Sequence, residues 1–373
     1  MTLNFNSRKS LFHYVPSSLV SAWSDNGVTV SWSNPFEERY TGAAETDQLY
    51  RAKVSILEEN FISNVEEADI SFAQQLDRFR NGDFDFLYEE DNSVRVNLLF
   101  LMKRSDRYIF GNMSETDAFH LVDLTDKCKG SSFQTRLKNA YSIMRFVLLM
   151  KEFASSVADE ILMLRFDSVL LPVPEGSSFI LGASPMNMIN PFFSHRHPQY
   201  EEGEEYDLSG ACFILPLSPS LSLCLYDSDI YRLKRKNGEA VLSPHDVEIL
   251  NMIQIYNGGK DDGFVYKGDR GSIVDTILRF GGIGVRDIRE KRGEKDSYPF
   301  DTDLSFLQVK AEAEEKFSSF RSNPVDRFVS DSEKYRKEII ERISDDPAAY
   351  KEEMHKRYVY ACDYLFESPD SES

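Results

Sequence analysis

The sequence predicts an α+β fold: a central, mostly antiparallel sheet with flanking helices and a C-terminal helical extension. Three observations lead there. Apolar residues recur at helical spacing over 49–80 and 138–166. Between 167 and 227 the pattern changes to four short apolar runs bounded by proline, glycine and serine, as strands are. After 304 the helical period returns. Strands and helices do not alternate regularly, so a βαβ architecture is not expected.

In chain order, GVTVSW (27–32) alternates with period two behind an Asn-Gly turn and reads as a strand. Val54, Leu57, Phe61, Val65, Phe72, Leu76 and Phe79 mark one amphipathic helix, or two, over 49–80, broken by Asn81-Gly82-Asp83. Residues 91–107 carry valines that suit a strand, but Val94, Leu98, Leu101 and Met102 share a helix face, and helix is preferred. Lys138 to Phe166 is helical, with Ala140, Ile143, Val147, Met150, Ala154, Val157 and Ile161 in register. DSVLLPV (167–173), SFILGA (178–183), ACFILPL (211–217) and LSLCLYD (221–227) are the strands of one sheet. SPHDVEILNMIQIYN (243–257) is a helix with Ser243 as N-cap, Pro244 in the first turn and Asp246 at the positive end of the dipole.

These elements divide the chain into a core domain, 1–267, a loose connector, 268–303, a helical extension, 304–366, and a disordered tail, 367–373. Helices are expected at 304–321, 331–344 and 347–366, the last with Tyr350, Met354, Tyr358, Ala361 and Leu365 as its apolar stripe.

Composition narrows the function classes. A 41% hydrophobic content with 27 Phe and 18 Tyr supports a packed core and opposes overall disorder. The formal net charge of -19 argues against a generic DNA coater or a protein of anionic membrane surfaces, although a local basic groove is compatible with it. The greasiest stretch, 140–166, is interrupted by Arg145, Lys151, Glu152, Asp159 and Glu160, so it is a core helix and not a membrane span. No signal peptide is read at the N-terminus. Cys128, Cys212, Cys224 and Cys362 form no CxxC pair, and the expected compartment is the reducing cytoplasm.

The segment FHYVPSSLVSAWSDNG (12–27) resembles the opening motif of a mostly bacterial family, domain-of-unknown-function family 4238, whose members begin near HHYVPxFYLRxFxxxG. His13, Tyr14, Val15, Pro16, Leu19 and Trp23 occupy motif positions. Further pieces follow in order: the acidic helix around 56–76; LLFLMKRSDR (98–107), similar to FIALQxxRTP; FILGASPMNMINPF (179–192), similar to FITSDNPVxxxNP; the PLSP strand pair at 214–225; and the closing helix with Asn251. The resemblance covers roughly 10–267. Four positions depart from it: Phe12 for the first histidine, Leu101 for the glutamine, Ser105-Asp106 for Thr-Pro, and Ala183 for the aspartate. A catalytic centre built on that aspartate would be missing here. The resemblance implies no known activity, and the polar positions it retains are His13, Arg104, Ser184, Asn190, Ser218 and Asn251.

Several residues invite chemistry. His13 is a titratable imidazole that could serve as a general base, or simply bond to backbone. Arg104 follows an apolar run, so burial would oblige it to find a carboxylate or carbonyls, as an internal strut or as an anion-binding residue in a cleft. His195 and His197, followed by acids at 201–205, have the elements of a zinc or manganese site but not the HExxH or CxxC spacing, and no metal is assigned. Gly258–Gly263 lacks the ligands of a calcium loop, and RFGGIGV (279–285) is not a dinucleotide fingerprint. No cofactor is identified. Two basic clusters are candidates for phosphate contact: Arg232, Lys234, Arg235 and Lys236 at a hairpin tip, and Arg286, Arg289 and Arg292 on one helical face.

Three functional readings follow. The first is a binding or interaction protein, with a bacterial stress or phage-defence system as its setting and a protein partner or second copy held through the C-terminal helices. The second is a phosphodiester hydrolase of nuclease type, with His13 and Arg104 catalytic, Ser184, Asn190, Ser218 and Asn251 binding, and the basic clusters guiding nucleic acid. The third is a structural scaffold.

Overall fold

The structure, a computed structural model, describes residues 8–33, 41–45, 49–56, 59–88, 93–111, 113–128, 130, 132–194, 210–257, 263–268 and 304–313. The connector helix with Arg286, Arg289 and Arg292, the histidines at 195 and 197, and the expected helices beyond 313 lie outside these residues.

The chain opens with β1 (Arg8–His13), a single turn α1 (Ser17–Val20) continued by a 3-10 turn to Trp23, and β2 (Thr29–Ser33). Asn26 sets the turn before β2: its Oδ1 accepts from the amides of Val28 and Thr29. Next come β3 (Thr41–Glu45) and β4 (Arg51–Ile56). β4 corrects the expected helix over 49–80, because Val54 lies on a strand paired antiparallel with β1. The helix, α2 (Glu59–Arg80), begins only at 59. α3 (Ser93–Lys103), α4 (Asp106–Gly111) and α5 (Glu115–Lys127) follow. α6 (Phe133–Asp159) is 27 residues long, about 40 Å at 1.5 Å per residue, and passes into a 3-10 segment over 160–165. α6 starts five residues before the expected boundary because Ser132 caps it, its Oγ accepting from Thr135 N at 3.2 Å.

The second half holds β5 (Asp167–Pro172), β6 (Asn187–Ile189), a short α7 (Pro191–Ser194), β7 (Cys212–Ser218) and β8 (Leu221–Tyr226). Then come β9 (Tyr231–Leu233), β10 (Arg235–Lys236), β11 (Glu239–Ala240), α8 (Pro244–Asn257), β12 (Phe264–Tyr266) and β13 (Leu307–Val309). The largest sheet is four-stranded and antiparallel, in the order β5-β8-β7-β6, with smaller antiparallel sheets around it, including β12-β2-β3. The α+β class and the antiparallel sheet are therefore as the sequence predicts. The core runs without a break from the N-terminal segment through α2, α3 and α6 to this sheet and α8. α3 is its centre, with Leu98, Phe100 and Leu101 fully buried.

Two further expectations are corrected. SFILGA (178–183) forms no strand and makes only a bridge, Leu181 to Val265. The helix expected over 304–321 begins instead as a turn followed by β13, which pairs with β9, and helix is seen only from 311 to 313, the last of these residues described. Leu304, Phe306 and Ala313 are buried, and Ser305 N and Oγ both donate to the Asp246 carboxylate at the start of α8, so 304–313 belongs to the core and not to a separable extension.

Candidate functional site

The motif residues near the N-terminus act through their backbone. Tyr14 N donates to Tyr50 O at 3.0 Å, and the two rings meet edge to face at 6.0 Å. Tyr14 O accepts from Arg104 Nε at 2.9 Å. Arg104 is 1% exposed, its Nη1 donates to Asp69 Oδ1 at 2.9 Å, and its guanidinium stands 5.5 Å from the centre of the Phe100 ring. One side chain thus ties α2, the end of α3 and the N-terminal segment together. His13, next to Tyr14, is half-buried at the end of β1, opposite Arg51 in register.

Beyond the Leu181–Val265 bridge and the Phe179 N to Pro219 O bond, the segment 178–187 is held by side chains. Asn251 Oδ1 accepts from Ile180 N at 3.0 Å, and its Nδ2 donates to Ser178 O at 2.8 Å. One helical turn on, Gln254 Oε1 accepts from Gly182 N at 3.0 Å and Nε2 donates to Pro185 O at 2.8 Å. On the other side Trp23 Nε1 donates to Phe179 O at 3.0 Å and the Tyr50 hydroxyl to Leu181 O at 2.8 Å. Gly182 is required by proximity: a Cβ there would lie 2.5 Å from Gln254 O.

Ser184 Oγ donates to Met102 O at 3.4 Å, so it lies two residues from Arg104 across that contact. Asn251 sits on the far side of the same segment. Asn190 is half-buried between β6 and α7, with its Oδ1 facing Gly210. Ser218 ends β7, its hydroxyl 3.2 Å from that of Ser220 in the turn to β8. Arg104, Ser184 and Asn251 are thus each bonded to backbone in the packed interior, at 1%, 5% and 9% exposure, Asn251 across the segment from the other two, while Asn190 and Ser218 stand apart. Arg232, Lys234, Arg235 and Lys236 are all exposed on the β9–β11 hairpin.

A second polar cluster lies where α3, α4, α5 and α6 meet. Lys103 Nζ donates to Ser155 Oγ at 2.7 Å and to Asp159 Oδ2 at 3.2 Å, and Ser155 Oγ lies 3.1 Å from the same oxygen. Lys151 bonds Asp117 at 3.0 Å, and Asp117 also closes a capping box with Ser114. Burial pushes the Glu152 carboxyl above the usual carboxylate range, against the attraction of Lys103 and Lys151. Burial likewise raises the Tyr108 phenol, aided by Glu152 and Asp159. A serine between a lysine and an aspartate has the composition of a nucleophile site. Here the hydroxyl proton is directed at a carboxylate that Lys103 already neutralises, and Ser155 stands in the last turns of α6, where free backbone groups are carbonyls and the amides are spent on the helix itself, so the helix offers it no oxyanion donors. The cluster is therefore a charge network joining four helices. Its trace in the sequence is the set of charges that interrupts 140–166. A third helical tie, Arg95 to Glu160 at 2.5 Å with both side chains buried, belongs to the same set.

Cys128, Cys212 and Cys224 are buried, and burial beside Cys224 raises the Cys212 thiol well above its usual range, away from the thiolate form. Among the described residues no three His, Cys, Asp or Glu side chains form a metal-binding group, and no helix is long and apolar enough to cross a membrane.

No curated protein and no solved structure matches the chain. A family profile does match, over residues 13–269, from the histidine of the opening motif to just past β12. The segments that the profile spans are the ones clasped together here, Tyr14 to Arg104 and the 178–187 segment to α8, and the chain belongs to the family described as protein of unknown function DUF4238.

Proposed function

We propose that the chain is a binding protein whose partner is another protein, held on an arm made by α5 and the first half of α6. The observation that carries this reading is on the outer face of α5. Phe119 and Val122, three residues apart, are 73% and 64% exposed. The opposite face of α5 packs Leu121 and Leu124 on Ala140 and Ile143 of α6, a satellite of the main core. Phe133, at the start of α6, is also 59% exposed. Single exposed apolar residues are ordinary, but large ones one turn apart on the solvent face of a helix whose inner face packs on the core have the form of an anchor pair for a second helix.

Charge selects the occupant. Exposed Asp126 lies one turn beyond Val122, while Asp123 is already paired with Lys127 at 2.6 Å. The local balance is acidic, so the same face of a second copy would repel it, and the fitting occupant is a cationic amphipathic helix of a different protein. The hydrolase reading has less support, because Arg104 is committed to Tyr14 O and Asp69 in the interior.

The test is fluorescence anisotropy with a labelled model helix of leucine and lysine, compared between the wild type and a Phe119→Ser, Val122→Ser double variant of identical charge. Burying the two side chains is worth roughly 2–4 kcal/mol, so the variant is expected to bind about thirtyfold more weakly or worse, with an unchanged melting temperature. Equal binding by both would mean that charge alone attracts the peptide, and the arm would not be the site.

A further inference from the structure

We infer that the β9–β11 hairpin is a contact surface for the phosphate backbone of nucleic acid. Arg232, Lys234, Arg235 and Lys236 fall within five residues, and the hairpin holds only Glu239 against them, a local excess of three positive charges in an otherwise acidic chain. All four are exposed, and among the described residues none of them is in an ion pair. The cations are carried on a rigid tip. Asn237 and Gly238 both have positive φ, 54° and 89°, the two-residue turn whose twist matches a hairpin. Arg235 Nη1 donates to Gly238 O at 2.7 Å across it. At the base, β9 pairs with β13, Lys234 N donates to Phe306 O at 2.9 Å, and Tyr231 and Ala240 are buried. The backbone under the cations is therefore fixed before any ligand arrives, which reduces the ordering cost of binding.

Asp167 on β5, opposite Tyr226 in register, lies near Arg235 and offsets part of this patch. The more distant acids do not cancel the rest: at about 0.1 M salt the screening length is roughly 10 Å, so charges farther away contribute little at the hairpin. No exposed aromatic side chain is interleaved with the four cations, so the surface has no platform for base stacking and reads phosphate without sequence.

The number of cations sets the salt dependence. Four phosphate contacts give a slope of log affinity on log salt of about -3.6 for a duplex (0.9 × 4) and about -2.8 for a single strand (0.7 × 4). The probe is a fluorescein-labelled mixed-sequence oligonucleotide, single-stranded and as a duplex, titrated with the full chain from 50 to 300 mM sodium chloride. The comparison is a Lys234→Gln, Lys236→Gln variant, which touches no side-chain hydrogen bond of the hairpin. The expected result is a wild-type slope near four contacts that falls by about 1.8 for the duplex, two contacts at 0.9 each, with a loss of affinity at low salt. Absence of binding by the wild type at 50 mM, or an unchanged slope in the variant, would overturn the assignment. So would competition by polyglutamate as effective as competition by unlabelled oligonucleotide, which would make the surface a generic one for acidic proteins.

Discussion

Asn251 is the residue at which a structural and a catalytic role separate most cleanly. Its amide closes two bonds to the backbone of one segment, accepting from Ile180 N and donating to Ser178 O. Asn251→Ala removes both and leaves a buried N–H and C=O without these partners. Each such group costs about 1–3 kcal/mol, so the expected loss is roughly 2–6 kcal/mol, a large share of the 5–15 kcal/mol that holds a typical native protein together. For a chain of this size, with an unfolding entropy of about 2.1 cal/mol/K per residue, that lowers the melting temperature by roughly 2–8 °C. Asn251→Asp is the sharper probe. It keeps the acceptor for Ile180 N but sets a carboxylate oxygen against Ser178 O, so it should be no better than alanine. The assay is equilibrium urea unfolding followed by far-UV circular dichroism, with the midpoint compared among wild type and both variants. A shift worth less than about 1 kcal/mol for both would refute the clasp and return Asn251 to the candidates for ligand binding.

Three other outcomes follow from the same packing. Glu152 has a folded-state pKa above its unfolded one, so its protonated form is favoured by folding; that contribution is complete below the unfolded value and lost as pH rises through the folded one. Glu152→Gln should therefore be more stable than wild type at pH 8 and indistinguishable from it near pH 4, as read by thermal melts across that range; a constant difference would contradict the assignment. Phe306, fully buried, should cost about 3–5 kcal/mol on replacement by alanine, and a chain cut before Leu304 should fail to give a cooperative melt, whereas a normal melt from that truncation would show 304–313 to be dispensable.

What the sequence could show depended on how local the determinants were. α8 was legible because Ser243 and Asp246 form its capping box within one turn, Ser243 Oγ accepting from Asp246 N and the Asp246 carboxylate accepting from Ser243 N. α6 was legible from its period, and its true start from nothing but Ser132. β4 was hidden because Val54 satisfies a helical and an alternating pattern equally, and its pairing with β1 lies some forty residues away. SFILGA has the composition of a strand and is buried like one, but its partners are the side chains of Trp23, Tyr50, Asn251 and Gln254, which no local pattern announces. Arg104 could be read as buried from the apolar run before it. That Asp69 would receive it could not, since Asp69 is one acid among many on α2. The exposed pair on α5 was missed for the opposite reason: Phe119 and Val122 look like core residues until the helix is oriented against α6.

The two departures from the family resemblance that bear most on chemistry are Leu101 for a glutamine and Ala183 for an aspartate. Each immediately precedes one of the two residues joined by the Ser184 to Met102 contact, and both are fully buried. An aspartate or a glutamine in that interior would need a hydrogen-bonding partner. Leucine and alanine need none and are packed core here. The polar residues that remain around them, Arg104, Ser184, Asn251 and Gln254, all have backbone groups as partners, and Arg104 has Asp69 besides. Chemistry there would require opening a clasp that these bonds hold shut. The binding we propose asks nothing of the interior: Phe119 and Val122 on α5 and the four cations of the β9–β11 hairpin already face solvent.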